Sequence, residues 1–157
     1  MEMTLVYAMM ICVLMVVLTV LVHYEGLRLI SDQLLPRLHM HPRQRMVFMI
    51  LGVFAAHTVE VWMFTACYSL LDGVSGFGGF MGHKEGGWVD YLYFSAVTYT
   101  SLGLGDVYPV GNFRLLTGVE ALTGLLMIGW SASFTYILMV RFWEQHTEHD
   151  LRRKRGR

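Results

Sequence analysis

Cysteine is scarce in this sequence: Cys12 and Cys67 are the only two among 157 residues, and each lies inside an apolar run. Two isolated cysteines exclude a disulfide framework, and they do not form the paired spacing of a zinc site. We interpret both as small apolar side chains within packed helices.

Charged residues are also few. They make up 15% of the chain, whereas 55% of the residues are hydrophobic and the mean hydropathy is +0.47. This composition is more apolar than that of a soluble globular protein, and the length suits one domain. The apolar runs lack the repeated arginines of a voltage sensor, and the C-terminal tail is too short for a nucleotide- or calcium-binding module. No catalytic site and no organic cofactor are predicted.

Three long apolar runs are predicted to cross a membrane as helices. Residues 3–22 contain no charged side chain, and a helix of this length just spans a hydrocarbon core of roughly 30 Å. No basic residue precedes this run and no cleavage site follows it, so we interpret it as a retained helix rather than a signal peptide. Residues 46–71 and 115–140 form the second and third runs, each long enough to cross with some tilt.

The segment between the first two runs, residues 23–45, is polar and basic. Its larger aliphatic residues recur at helical spacing: Leu27, Ile30, Leu34 and Leu38. This pattern is typical of an amphipathic helix lying in the membrane interface, which Pro36 is expected to kink or break. The two histidines within residues 39–42 are candidate metal ligands, but we interpret this stretch as an exposed linker.

The segment between the second and third runs has two parts. Residues 72–87 contain seven glycines and are predicted to form an ordered loop without helix. Residues 88–100 are too few to span a bilayer, so they are expected to form a re-entrant helix that packs among other helices. Its aromatic side chains suit such packing: Trp88, Tyr91, Tyr93 and Phe94. Residues 109–114 are predicted to form a turn.

The uneven distribution of basic residues predicts the orientation. Five of the twelve lie in the last six positions and four lie between Arg28 and Arg45, whereas the glycine-rich loop holds Lys84 alone. The positive-inside rule therefore places the N-terminus outside, and the linker and tail in the cytoplasm. A bacterial inner membrane is expected. The tail either attracts anionic lipid or serves only as a topology signal, and no nucleic-acid partner is expected.

A short polar run follows the re-entrant segment: Thr100, Ser101, Leu102, Gly103, Leu104, Gly105 and Asp106. Glycine at alternate positions permits dihedrals that a Cβ would resist, so successive carbonyl oxygens can turn toward one axis. A simple turn would explain an isolated Gly-Leu-Gly. Irregular backbone at membrane depth, however, is tolerated only where protein buries it or where it lines a watery cavity. The run resembles the selectivity filter of the potassium-channel pore family, whose usual form is Thr-Val-Gly-Tyr-Gly-Asp.

By this resemblance, residues 46–143 correspond to the outer helix, turret, pore helix, filter and inner helix of a one-pore potassium channel. Residues 1–45 add a membrane helix with a cytoplasmic amphipathic linker, and residues 144–157 form a basic cytoplasmic tail. The implied fold class is an all-α membrane protein, with three transmembrane helices, a re-entrant pore helix and a filter loop, assembled as a homotetramer around one pore. Passive conduction of K⁺ is the implied function. Gly124 and Gly129 lie near the family's hinge glycines.

The resemblance also implies the ion ligands. In the family, K⁺ exchanges its hydration water for backbone carbonyl oxygens, with one ring of hydroxyl groups at the inner end of the filter. The corresponding residues here are Ser101, Leu102, Gly103 and Leu104. The permeant ion is the only metal expected.

The motif departs from the family pattern at two positions. Leu104 replaces a tyrosine that braces the filter by a hydrogen bond, and Ser101 replaces a threonine, keeping the hydroxyl but losing a methyl group. A softer filter is therefore expected, with potassium preference retained. A weakly selective cation channel is the main alternative, and a non-conducting partner subunit is another.

Three ionisable residues lie inside the predicted spans: His57, Glu60 and Glu120. Such residues are costly in lipid and usually face protein or water. We expect Glu120 to brace the filter or pore helix by accepting hydrogen bonds, and His57 and Glu60 to pair with it across the outer and inner helices. The network is either static or pH-sensitive, since histidine titrates near neutrality. A membrane redox or metal protein would need a second histidine inside a span, and we expect none.

Overall fold

The computed structural model describes residues 2–37, 41–83 and 86–155, which form five α-helices, a π-helical turn and a two-stranded sheet. The elements follow in chain order: α1 (Glu2–Arg28), a π-helical turn (Leu29–Leu34), α2 (Leu35–Arg37), α3 (Pro42–Leu71), β1 (Gly78–Gly82), α4 (Trp88–Tyr99), β2 (Val107–Gly111) and α5 (Phe113–Arg155). Three helical stretches are long and apolar enough to cross a membrane: Met3–Arg37, Gln44–Leu71 and Phe113–Arg141. The three predicted membrane helices are therefore confirmed.

The first helix does not end near residue 22, and the part of the predicted interfacial helix that lies within the described residues continues the same helix. It continues to Arg37 through the π-helical turn, in which the Leu35 N–H bonds the carbonyl of Ile30, five residues back. A π turn inserts one residue into the helical repeat, so the buried face passes from Ile30 to Leu35, while Leu34 is exposed. The widened turn directly precedes Pro36, which lacks an N–H and would otherwise clash with the preceding helical turn.

Leu38 and the first two residues of the predicted linker motif lie outside the described residues. His41 is described, and it caps the start of α3. Its backbone N–H donates to the side-chain oxygen of Gln44 at 3.1 Å, which satisfies a donor that the helix itself leaves unpaired.

The chain is mostly helical, as expected, and the segment between the second and third membrane helices also contains an antiparallel sheet of β1 and β2. Gly78 lies opposite Gly111, and Gly82 lies opposite Val107. The glycine-rich loop therefore contains a strand, and the turn predicted at residues 109–114 is largely the end of β2 and the start of α5. Glycine is required at Gly82, which has a φ of +111° and where a Cβ would overlap the backbone carbonyl of Asp106.

An aromatic cluster fastens this sheet to the helices. The buried ring of Tyr68 in α3 makes edge-to-face contacts with Phe80 of β1, Phe94 of α4 and Phe113 of α5. Such arrangements stabilise aromatic pairs beyond the effect of their buried area. Each ring comes from a different element, so the cluster fixes the two ends of the segment that runs from α4 to β2.

Small residues bring the N-terminal helix close to α3. A Cβ on Gly26 would lie 3.4 Å from the Cβ of Ala56, and a Cβ on Gly52 would lie 2.8 Å from Cδ1 of Ile30. Glycine and alanine at such contacts let helix backbones approach closely within membranes. The same helix also contacts α5. His23 is fully buried as a result, at the junction of these three helices.

Candidate functional site

Segment 100–106 leaves the C-terminal end of α4 with an alternating backbone. The φ angle is positive at Ser101 (56°), Gly103 (58°) and Gly105 (81°), and residues 102–105 form no regular structure. The two glycines adopt this conformation readily, whereas a side chain there carries a strain of about 1–2 kcal/mol. The sequence analysis predicted unusual dihedrals at Gly103 and Gly105 but not the left-handed conformation of Ser101.

The end of α4 holds the first half of this segment through backbone hydrogen bonds. The N–H of Ser101 donates to the carbonyl of Thr98 at 2.8 Å, and the N–H of Leu102 donates to the carbonyl of Val97 at 2.9 Å. These bonds occupy carbonyls that the last turn of a helix leaves free. The Thr100 hydroxyl donates to the carbonyl of Ala96 at 2.8 Å, so its side chain caps the helix.

Asp106 holds the other half. The Tyr93 hydroxyl donates to Asp106 Oδ2 at 2.8 Å, and the backbone N–H of Val107 donates to Oδ1 at 3.0 Å. The carbonyl of Asp106 accepts from the N–H of His83, next to β1. Both ends of segment 100–106 are thus tied to α4, one through the backbone and one through Tyr93. The sequence analysis singled out Asp106 but not this partner.

Loss of the Tyr93 hydroxyl is expected to make the site more sensitive to acid. The hydrogen bond from Tyr93 holds the pKa of Asp106 below its ordinary value, so the bond persists above about pH 4 and is lost as pH falls through the lowered pKa. In Tyr93→Phe the pKa of Asp106 should rise toward the ordinary value. Ion flux measured against pH should then decline at a higher pH than in wild type. An unchanged profile would show that this bond does not support the segment.

Glu120 of α5 is fully buried behind α4. Its carboxylate accepts hydrogen bonds from the Tyr68 hydroxyl of α3 at 2.6 Å and from the Ser95 hydroxyl of α4 at 2.5 Å. Ser95 Oγ also lies 2.9 Å from the carbonyl of Val61. This Glu120 cluster joins three helices around one carboxylate.

A second cluster surrounds Glu60 of α3, which is also fully buried. Its carboxylate lies 2.7 Å from His23 Nδ1 and 3.4 Å from His57 Nδ1, and it accepts a hydrogen bond from the Tyr99 hydroxyl. His57 Nδ1 lies 2.9 Å from the same hydroxyl. On the far side, His23 Nε2 lies 3.1 Å from Ser131 Oγ of α5. We name these five residues the Glu60 cluster: Glu60, His23, His57, Tyr99 and Ser131.

The sequence had grouped His57, Glu60 and Glu120 into one network, and the structure divides them between two clusters. Glu60 and Tyr68, the α3 partner of Glu120, are eight residues apart and therefore about 12 Å apart along the helix. The carboxylates of Glu60 and Glu120 therefore lie at different heights along α3. Sequence reasoning also missed His23, whose one signal was its position directly after the first uncharged run.

Comparison with known proteins identifies the family. Residues 46–141 match the model of a family described as "Ion channel". The chain belongs to this ion channel family. The match contains α4, segment 100–106 and the flanking helices, and leaves the N-terminal helix outside. It confirms the resemblance to channel pore domains predicted from the sequence, and with three apolar helices it makes this channel a multi-pass membrane protein.

One relative is the two-pore potassium channel 1 of Arabidopsis thaliana. It is 34% identical to this channel over 92 residues, which are 57% of this chain and 22% of that protein. No solved structure matches the chain significantly.

The two predicted hinge glycines of the channel have different surroundings in α5. A Cβ on Gly124 would overlap the backbone carbonyl of Tyr99, at the end of α4, whereas a Cβ on Gly129 would meet no described atom within 4 Å. Gly124 therefore has a packing role at the end of α4, independent of any hinge. Bending at either glycine stays a prediction.

Proposed function

We propose that this channel is a homotetramer that conducts K⁺ passively through the backbone carbonyls of residues 101–104. The observation that carries the proposal is the alternation of φ, positive at Ser101, Gly103 and Gly105. A backbone that alternates in this way can direct successive carbonyl oxygens to one side, as a dehydrated K⁺ requires. The inner hydroxyl ligand would come from Ser101. The similarity to a protein named as a potassium channel adds support.

The surroundings of the filter suit a cation. The C-terminal end of a helix carries partial negative charge, and α4 ends at Tyr99, immediately before the filter. Tyr93 and Asp106 anchor the outer end of the filter, so its carbonyl positions do not depend on the ion alone.

A tetramer is favoured because one chain supplies only one side of an ion-binding ring. The filter side chains Leu102 and Leu104 are 63% and 59% exposed in the single chain. A row of exposed leucines continues along α5: Leu122, Leu125 and Leu126. Leucines beside a polar conduction path need cover from water, and neighbouring subunits related by cyclic symmetry provide it around one axis.

The test is flux through the purified full-length protein in lipid vesicles. Under opposed K⁺ and Na⁺ gradients, the reversal potential should lie near the equilibrium potential of K⁺. A reversal potential midway between the two ions would establish the weakly selective channel instead, and an absence of flux would establish a non-conducting subunit. Gly103→Ala should abolish flux because φ at this position is +58°, whereas Gly73→Ala, equally uncrowded but without a positive φ, should not.

Leu104 is expected to limit selectivity. Its side chain has no donor, whereas the family's tyrosine braces the filter by a hydrogen bond. Leu104→Tyr should therefore raise the K⁺ to Na⁺ permeability ratio by about two- to twelvefold, the equivalent of one hydrogen bond of roughly 0.5–1.5 kcal/mol. The measurement is the bi-ionic reversal potential, with Leu102→Tyr as the control at the other exposed filter leucine. An equal rise in both variants would exclude a specific brace at position 104.

The basic residues favour one orientation for this channel. The cluster from Arg28 to Arg45 and the C-terminal basic tail would lie in the cytoplasm, and the filter would open from the outer face. The cell inner membrane is the proposed location. Anionic lipid headgroups are the proposed partners of the tail.

A further inference from the structure

The Glu60 cluster has the composition of a metal site. Ligand atoms of His23, His57 and Glu60 all lie within 4.8 Å of one another. The two histidines come from different helices, and each presents its Nδ1 to the same carboxylate, at 2.7 Å and 3.4 Å. The side chains of His23 and Glu60 are fully buried, while that of His57 is 19% exposed and provides the approach.

Two imidazole nitrogens and a carboxylate form an established ligand set for zinc. In a tetrahedral site with metal–ligand bonds of 2.0–2.1 Å, neighbouring ligand atoms lie about 3.3 Å apart. The observed separations bracket this value, so small side-chain movements suffice to admit an ion. The Tyr99 hydroxyl lies 2.9 Å from His57 Nδ1 and contacts the Glu60 carboxylate, so it adjoins two of the three ligands.

The surroundings also orient one ligand as metal sites do. A metal-bound histidine usually makes a hydrogen bond through its second ring nitrogen, which fixes the tautomer and the ring plane. His23 Nε2 lies 3.1 Å from Ser131 Oγ, and its ring centroid lies 5.4 Å from that of Trp130. Both neighbours belong to α5, so this ring is held from the side opposite Glu60.

We propose that His23, His57 and Glu60 bind a divalent transition-metal ion of the Zn²⁺ type. The ion replaces the direct contacts between the histidines and the carboxylate, and Glu60 offsets part of its charge. It connects the N-terminal helix to α3, next to the Tyr99 that precedes the filter. The expectation of no metal beyond the permeant ion assumed one histidine inside the spans, and the structure supplies a second. Because binding does not require conduction, this inference stands apart from the proposed function.

The test is metal binding to the full-length protein, purified in detergent with an affinity tag that contains no histidine and stripped with a chelator. Co²⁺ should bind once per chain with the visible absorption of a tetrahedral site, and Zn²⁺ should displace it. No thiolate charge-transfer band should appear, since neither cysteine belongs to the site. Zn²⁺ should also raise the thermal unfolding midpoint.

Variants locate the site. His23→Gln, His57→Gln and Glu60→Gln should each abolish the tetrahedral spectrum, whereas His83→Gln, an exposed histidine of the loop, should preserve it. Ser131→Ala leaves all ligands in place and should weaken binding by about tenfold, the effect of losing an orienting hydrogen bond. His57 is partly exposed, so its replacement disturbs the fold less than that of His23. His57→Gln therefore tests the site even if His23→Gln does not fold. Absence of the spectrum in wild type, or its persistence in His57→Gln, would overturn the proposal.

Discussion

Gly124→Ala is expected to stop conduction and to destabilise each subunit by about 1–3 kcal/mol, the usual consequence of overpacking. A Cβ at this position overlaps the carbonyl oxygen of Tyr99 and comes within 3.0 Å of its ring. A backbone carbonyl cannot rotate away as a flexible side chain can, so α5 or the end of α4 must move. Since the filter begins at the next residue, its first carbonyls would move as well. Vesicle flux and the unfolding midpoint in detergent measure both effects.

Gly129→Ala is the matched control for this substitution. No described atom lies within 4 Å of the added methyl group, and alanine in a helix is more stable than glycine by up to about 1 kcal/mol. Flux should therefore persist, with an equal or higher unfolding midpoint. The hinge interpretation predicts instead that both alanine variants impair opening without loss of stability. Equal impairment in two stable proteins would therefore contradict the packing role of Gly124.

Glu120→Ala is expected to lower stability by about 2–5 kcal/mol, because it removes the acceptor from two hydroxyl groups and leaves a cavity among three helices. The Tyr68 hydroxyl would retain only a 3.4 Å contact with Thr117, whereas Ser95 could turn fully to the carbonyl of Val61. Since Ser95 belongs to the pore helix, selectivity should fall along with stability. Thermal unfolding followed by circular dichroism measures the first effect, and the reversal potential measures the second.

Two further variants define the role of this carboxylate. Glu120→Gln keeps the size and one acceptor oxygen, so its loss of stability should be smaller. Glu25→Ala removes a carboxylate that is 60% exposed and forms a 3.5 Å ion pair with Arg28, an interaction that contributes no more than about 1 kcal/mol. A Glu120→Ala protein as stable as Glu25→Ala would show that the Glu120 cluster does not hold the pore helix.

Several features of the fold could be predicted because their causes are local. The three membrane helices follow from long apolar runs, and the irregular backbone of residues 102–105 follows from alternating glycines after a helix too short to span. The ionisable residues Glu60 and Glu120 were recognisable because an ionisable group inside a membrane span requires a partner. These signals depend on residues that are close together in the sequence.

The partners themselves could not be predicted, since they are distant in the sequence. His23 meets Glu60 across 37 residues and Ser131 across 108, and no local pattern encodes such pairs. The π-helical turn escaped prediction for a related reason. Pro36 marks a disturbance of the helix, but close packing of Ile30 on Gly52 is an interaction between two helices. Tertiary contacts therefore determine the partners of His23, and at the π-helical turn they act together with the local effect of Pro36.

The pairing of β1 with β2 has a consequence for protein engineering. Gly82, at the end of β1, lies directly opposite Val107, at the start of β2, so the chain leaves the sheet and returns to it at one place. Residues 83–106, which contain the pore helix and the filter, thus form a cassette with adjoining ends. Exchanging this cassette leaves the spacing of its attachment points unchanged. Filters of different ion preference can therefore be compared on one constant scaffold of membrane helices.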